Sequence, residues 1–275
     1  MPREIEFPDP LQIPVFDNHT HLDISREGEP IDVAAALREA ARVGVTRVMQ
    51  IGCDLPSARL TIGLVDEHPQ ILGGVALHPN DAPRLAAAGR LAAAYDEIEE
   101  YAAHPRVRVV GETGLDFFRT GPEGRGVQEE SFRWHIDLAK RLGKTLQIHD
   151  RDAHDDVLRV LDSERAPEKV VLHCFSGDVR FARECVDRGY HLSFAGPITF
   201  KSSQELRDAL AVTPLDRVLV ETDAPYLTPH PFRGATNAPV MLPLTVRRAA
   251  AVLGVSVPEL CHQVNQTGER LYGSW

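Results

Sequence analysis

The chain has 275 residues, with 30 basic against 40 acidic side chains and a formal net charge of −10. Hydrophobic residues make up 43% and charged residues 25%, the balance of a folded globular protein rather than a disordered one. The acidic surplus argues against a protein held to nucleic acid by a broad basic surface, yet not against a nucleic-acid substrate, because bound divalent cations supply a positive field that net charge ignores.

In chain order, the opening segment MPREIEFPDP carries acids and prolines where a signal peptide needs a basic start and an apolar run. No stretch approaches the ~18 apolar residues of a membrane span, so a cytoplasmic protein without a membrane segment is expected. The first strand is read at Ile13–Asp17, ending at His-Thr-His. A helix near Asp32–Val43 and a strand at Arg47–Ile51 follow. A third strand lies at Ile71–Leu77, then an Ala-rich helix at Pro83–Ala103 and a fourth strand at Val107–Val110, closing on GETGLD.

The second half repeats this rhythm. A helix near Gln128–Leu142 leads to strand Thr145–Ile148, and a helix near Asp152–Ser163 to strand Lys169–Leu172. Strands His191–Phe194 and Val218–Val220 precede terminal helices from Pro239 onward. About eight βα units in a single domain of residues 1–275 predict a (β/α)₈ TIM barrel, which typically needs about 250 residues. The four cysteines (Cys53, Cys174, Cys185, Cys261) form no CxxC pair and read as reduced thiols.

The chemistry collects where strands end. His19 and His21 follow the first strand, Glu112 the fourth, His149 the fifth, His173 the sixth and Asp223 the eighth. Parallel strands of a barrel share one C-terminal rim, so six ligand-type residues distant in sequence are expected to converge there. Taken singly each has a plainer role: a lone histidine braces a loop, Glu112 pairs in a salt bridge, Asp223 caps a helix before Pro225. Four imidazoles and two carboxylates exceed the four positions of a closed structural zinc site. They suit two nearby divalent cations, zinc, manganese or a similar transition ion rather than a pure magnesium cage, able to make a nucleophile from water near neutral pH. Asp223 is the candidate proton acceptor.

The segments FDNHTHLD, VALHPNDA, GETGLDFFR, IHDRDAHDDVL, HCFSG, GPITFK, ETDAPYLTP and the final N-x-x-x-x-LYG together resemble the TatD-type deoxyribonuclease family of the amidohydrolase superfamily, from about Phe16 to Gly273. The resemblance implies a TIM barrel holding one or two divalent metals and cleaving DNA phosphodiesters, generally from the 3′ end of single strands. It gives ligand roles to His19, His21, Glu112, His149, His173 and Asp223, with Glu112 bridging and Asp223 also activating water. The chain departs from the family at Asn237-Ala238-Pro239, where Asn-Glu-Pro is usual; the change is expected to affect the loop after the eighth strand and not the metals. At the fifth strand Gln147-Ile148-His149 offers no lysine for the carbamylated bridge of phosphotriesterases, which favours a glutamate bridge.

Other rim residues are candidate substrate contacts: His78, Arg151, Lys201 and Arg233, each with a structural alternative such as an Arg151 ion pair to Asp152 or Asp116. Asp116 is expected to orient a ligand histidine, and Glu221 to sit in a buried polar network. Cys174 should face away from the metals by strand alternation. With 6% aromatic residues and no aromatic stripe among the basic ones, DNA binding is expected to be shallow and end-directed, with no obligate protein partner. The competing readings are a small-molecule lactonase, esterase or phosphotriesterase on the same scaffold, and a non-catalytic metal-binding protein.

Overall fold

A computed structural model describes residues 7–26 and 28–275. The opening segment read against a signal peptide falls largely on residues 1–6, outside the described residues.

The chain alternates as its apolar pattern requires. Strand β1 (Val15–Thr20) leads to helix α1 (Val33–Arg42), whose first turn is capped by Asp32 accepting from the Ala35 amide. Strand β2 (Val45–Gly52) leads to α2 (Leu55–Glu67), where Asp54 and Ser57 cap each other's backbone reciprocally. Then come β3 (Ile71–Val75), α3 (Ala82–Ala87), α4 (Leu91–Ala102), β4 (Val107–Asp116) and α5 (Pro122–Leu142). The series continues through β5 (Thr145–Arg151), α6 (His154–Glu164), β6 (Val170–Leu172), α7 (Val179–Asp187), β7 (His191–Phe194), α8 (Gln204–Val212) and β8 (Val218–Val220). Helices α9 (Leu242–Leu253) and α10 (Val257–Tyr272) end the chain.

The eight strands among the described residues form one parallel sheet in sequence order. The sheet closes just beyond β8, where the Asp223 amide donates to the His19 carbonyl at 2.9 Å and the His21 amide to the Ala224 carbonyl at 2.8 Å. The seam of the barrel is thus made by the same residues that carry two of the ligand-type motifs. Every residue of β1, β3, β6, β7 and β8 is buried, as strands covered on both faces must be. Helix α10 braces β1 from below: Phe16 meets the Tyr272 ring edge-on at 6.0 Å, and the Tyr272 hydroxyl bonds Asn18 Oδ1 at 2.5 Å.

The structure moves several expected boundaries. β1 starts later than expected and runs through His19 instead of stopping at Asp17. The expected Pro83–Ala103 helix is two helices, α3 and α4, broken around Gly89, which takes a φ of +65°. β4 runs past Val110 to Asp116. The helices α2, α7 and α8 complete the alternation although the sequence reading singled out none of them. In α2 the Pro56-Ser57 start reads as loop chemistry, yet proline is well tolerated in a first helical turn. Among the described residues no single helix is long and apolar enough to cross a membrane.

Candidate metal centre

Two bulges aim the first ligand-type residues into the rim. Between Asp17 and Thr20 strand β1 advances three residues while β2 advances two, from Val48 to Gln50. Strand β4 does the same against β5, with Val110 opposite Leu146 and Thr113 opposite Ile148. An extra residue in one strand re-aims side chains locally, and here the extra residues fall at Asn18-His19 and Gly111-Glu112. The glycines of GETG make the second bulge possible. A Cβ at Gly111 would come within 2.7 Å of the Gln147 carbonyl oxygen, and one at Gly114, where φ is +141°, within 2.1 Å of the His149 carbonyl oxygen. Only glycine lets β4 approach β5 closely enough to set Glu112 beside His149.

All six candidate ligands then meet, in two sets that share Glu112. On one side His19 Nε2 and His21 Nε2 lie 3.1 Å apart. Asp223 Oδ1 is 3.8 Å from the first and 3.5 Å from the second, and Glu112 Oε1 is 3.9 and 3.8 Å from them. On the other side Glu112 Oε2 lies 2.6 Å from His173 Nε2 and 3.1 Å from His149 Nδ1. One carboxylate therefore presents an oxygen to each set. Donors sharing a four-coordinate ion with metal–ligand bonds near 2.1 Å sit about 3.4 Å from one another, and the first set has that spacing.

The far nitrogen of each imidazole tells the same story. His19 Nδ1 donates to Gln147 Oε1 at 2.7 Å, and His21 Nδ1 to the Ile51 carbonyl at 3.0 Å. His173 Nδ1 donates to Glu221 Oε1 at 3.2 Å, while Asp116 Oδ2 faces His149 Nε2 at 3.4 Å. For His19, His21 and His173 the far nitrogen thus has an oxygen acceptor, so a neutral ring with its hydrogen there turns its lone pair toward the shared centre. Metal-binding histidines show this arrangement.

Electrostatics agree with a cation site. Burial alone would discourage the Glu112 carboxylate, but His173, His78 and His149 around it hold its pKa well below the usual range. Burial also opposes charge on His21, yet the Asp223 and Glu112 carboxylates outweigh it and raise that imidazole to about 9. Glu112 and Glu221 likewise lift His173 well above normal against its burial. His19 goes the other way, driven well below normal by burial and by neighbouring His173. A pocket that pulls protons onto buried imidazoles between carboxylates offers the same field to a divalent cation.

The second-tier residues divide. His78 joins the cluster: its ring meets His149 at 4.5 Å, and burial holds its pKa down to about 3. Asp116 stands where it can orient His149, with the Asn80 side chain donating to it at 2.8 Å. Arg151 makes none of its expected ion pairs; its guanidinium lies 3.9 Å from the centre of the Phe118 ring. Lys201 is exposed and lines a separate cavity of about 440 Å³ with Thr199, Arg207 and Arg248, which no candidate ligand lines. Arg233 packs over Phe200, 4.2 Å from its ring centre, in the same neighbourhood. These two loop cations are not brought to the carboxylates by any contact.

Three residues differ from expectation. Cys53, read only as a reduced thiol, donates to Glu112 Oε1 at 3.1 Å and lies 3.9 Å from His21 Nδ1. Its signal was positional, since it follows β2 on the same rim as the ligands. Cys174 is not governed by strand alternation, because β6 ends at Leu172; it sits in a turn with φ of +41°, its amide donating to Glu221 at 2.6 Å. Ala238 is closer to the centre than expected: it lines a cavity of about 260 Å³ together with Thr20 and His21. Asn237 beside it holds the Asp223 loop, donating to the Thr222 carbonyl at 2.8 Å and the Tyr226 carbonyl at 2.6 Å.

Comparison with known proteins agrees with this geometry. The sequence model of the family described as TatD related DNase matches residues 16–273. The metal-dependent hydrolase TatD of Mycobacterium tuberculosis is 45% identical over 263 residues, covering 94% of this chain and 98% of the relative. The metal-dependent hydrolase YabD of Bacillus subtilis is 34% identical over 260 residues, covering 94% and 98%. Among solved structures, the TatD homologue YjjV of Escherichia coli superposes with a TM-score of 0.85 at 24% identity, covering 95% of this chain and 98% of that one, a likeness of fold. With its matched family model, its relatives and a barrel rim that gathers imidazoles and carboxylates, the chain belongs to the TatD related DNase family and is a metal-dependent hydrolase.

Proposed function

We propose that the chain is a deoxyribonuclease that hydrolyses phosphodiesters at the 3′ ends of single-stranded DNA, in the cytoplasm, using one or two divalent ions (zinc, manganese or magnesium). The observation that carries this reading is the shared carboxylate: Glu112 offers Oε1 to His19, His21 and Asp223, and Oε2 to His149 and His173. When bound there, the cations supply Lewis acidity for water and for the charge that develops on phosphate oxygens.

The remaining work falls to side chains. Glu112 keeps the two donor sets in register. Asp223 has the most exposed side chain of the first set, at 13%, so it reaches the open face of the rim and accepts the proton of the attacking water. Water adds to phosphorus, the bond from phosphorus to the 3′ oxygen breaks, and the proton held by Asp223 passes to the departing oxygen. His78 accepts from the Asn80 amide through Nδ1 at 3.1 Å, which leaves Nε2–H to donate to a phosphate oxygen as a neutral group. Arg151, two residues beyond His149 on the same strand, supplies a fork of donors to the phosphate. Lys201 and Arg233 are more distant contacts to the strand.

The test is a substrate panel on one preparation of known metal content: end-labelled single- and double-stranded DNA, RNA, aryl esters, lactones and phosphotriesters, with and without chelator. Metal-dependent release of nucleotides from single-stranded 3′ ends is the expected result. Turnover of lactones or esters with DNA left intact overturns the nuclease reading in favour of a small-molecule hydrolase.

A further inference from the structure

We infer that Phe118 and Tyr226 are base-stacking platforms, one on each side of the metal centre and each backed by an arginine, so that the site takes unstacked nucleotides of a single strand. The inference rests on the deoxyribonuclease reading and adds the means by which that substrate is recognised.

Among the described residues the exposed large hydrophobics are Phe7, Leu60, Phe118 and Tyr226, and the last two stand beside the centre. Phe118 is 61% exposed, just beyond β4 and two residues after Asp116, whose carboxylate faces His149. Tyr226 is 41% exposed; its amide donates to the Asp223 carbonyl at 2.9 Å, and its ring meets His21 edge-on at 6.3 Å. One exposed ring thus meets the His21 set directly, and the other lies against Arg151, two residues beyond His149 on β5. Water-exposed aromatic rings beside a reaction centre offer π faces on which unstacked bases can stack.

Each ring has a cation over it. The Arg151 guanidinium lies 3.9 Å from the Phe118 ring centre, and that of Arg26 lies 5.8 Å from the Tyr226 ring centre. A guanidinium on an aromatic face keeps its in-plane donors available for phosphate oxygens. The pairing of an aromatic face with a phosphate-binding cation, repeated on both sides of the centre, fits a nucleotide on either side of the scissile bond. The sequence concealed this pattern because Arg151 ends β5 while Phe118 follows β4, and Arg26 and Tyr226 come from opposite ends of the chain. A duplex keeps its base faces stacked inside and cannot use these platforms, and a small ester has no base to offer.

The experiment compares wild type with Phe118→Leu, Tyr226→Leu and the double variant, all metal-loaded, on three diesters. These are a labelled single-stranded oligonucleotide, the same strand with abasic residues at its two 3′-terminal positions, and bis(p-nitrophenyl) phosphate. Leucine keeps an apolar side chain of similar bulk and removes the π face, and near-UV and far-UV circular dichroism confirm folding. Loss of one stack should raise KM for the normal oligonucleotide about tenfold, and loss of both about a hundredfold. On the abasic strand the variants and wild type should differ less than about twofold. Fluorescence anisotropy of the labelled strand on chelator-treated protein should show the same ranking of Kd without turnover.

An unchanged KM on the normal strand overturns the platforms and leaves the nuclease reading standing. Equal losses on all three substrates also overturn them, because the variants would then be acting through the centre itself. A wild type that hydrolyses the p-nitrophenyl diester but neither binds nor cuts DNA overturns both readings at once.

Discussion

The two donor sets that share Glu112 are held in different ways. His19 and His21 sit on β1 at the barrel seam, and their far nitrogens bond neutral acceptors, the Gln147 amide and the Ile51 carbonyl. Their negative charge comes directly from Asp223 within the set. His149 and His173 have no such carboxylate of their own beside Glu112. Their negative charge stands behind the rings, on Asp116 and Glu221. A carboxylate behind an imidazole makes it a stronger donor, so one centre balances a cation's charge in two ways, by direct contact and through a ring.

The largest effect should come from removing what both sets share. Glu112→Gln removes the charge that faces both, so metal content and activity should fall together, further than for any change confined to one set. Metal analysis alongside a diesterase assay checks this, and a variant that keeps both ions and full turnover would remove the bridge from the account. Asp223→Asn touches only the first set. It should lower kcat by about 10²–10⁴ while the His149–His173 set keeps its metal; unaltered turnover would exclude Asp223 as the proton acceptor.

What was legible in the sequence follows the same division. The convergence of the six candidate ligands could be read because a parallel barrel puts every strand end on one rim, so spacing along the chain did not matter. Their anchors could not. Gln147 lies on the strand that carries His149 yet bonds His19, and Ile51 contributes a carbonyl that no side-chain pattern reports. Glu221 was legible as buried, by its parity with Asp223, but its two contacts to His173 and the Cys174 amide depend on the turn that ends β6. Phe118 and Tyr226 escaped because their cations come from segments distant in sequence, and Cys53 because a thiol hydrogen bond needs the Glu112 bulge to exist first.

A smaller effect separates the two kinds of anchor. Gln147→Leu leaves His19 without an acceptor, and Asp116→Asn weakens the charge behind His149. Each should cost about 10–100-fold in affinity for one equivalent of metal and little for the other. The comparison predicts different consequences. Asp116→Asn removes charge from the second set and should flatten its preference for divalent over monovalent ions. Gln147→Leu changes tautomer and ring orientation without changing charge, so it should weaken all ions alike. Competition titrations with a chelator of known affinity resolve both, and identical profiles for the two variants would erase the distinction drawn between direct and indirect charge.

The smallest effect concerns a buried histidine behind His78, on the side of the second set. His135 of α5 donates through Nδ1 to the Ser131 carbonyl at 2.7 Å, so its Nε2 accepts from the Leu77 amide at 3.1 Å, directly before His78. Burial lowers its pKa to about 4 from an ordinary 6.5. Between those values the unfolded chain binds a proton that the folded chain refuses. The contribution to stability is therefore complete above pH 6.5 and is lost as pH falls toward 4. From about pH 7.5 to about pH 5 the loss amounts to about 2 kcal/mol. Urea unfolding at those two pH values should show this drop in wild type and a smaller one in His135→Gln. Protonation also removes the acceptor for the Leu77 amide, so hydrogen-exchange protection there, taken against the intrinsic rate at each pH, should fall as pH approaches 4 in wild type while amides of β1 beside His19 stay protected. Equal loss of protection on both sides would mean that the two donor sets loosen as one unit, and that the difference between their anchors has no bearing on stability.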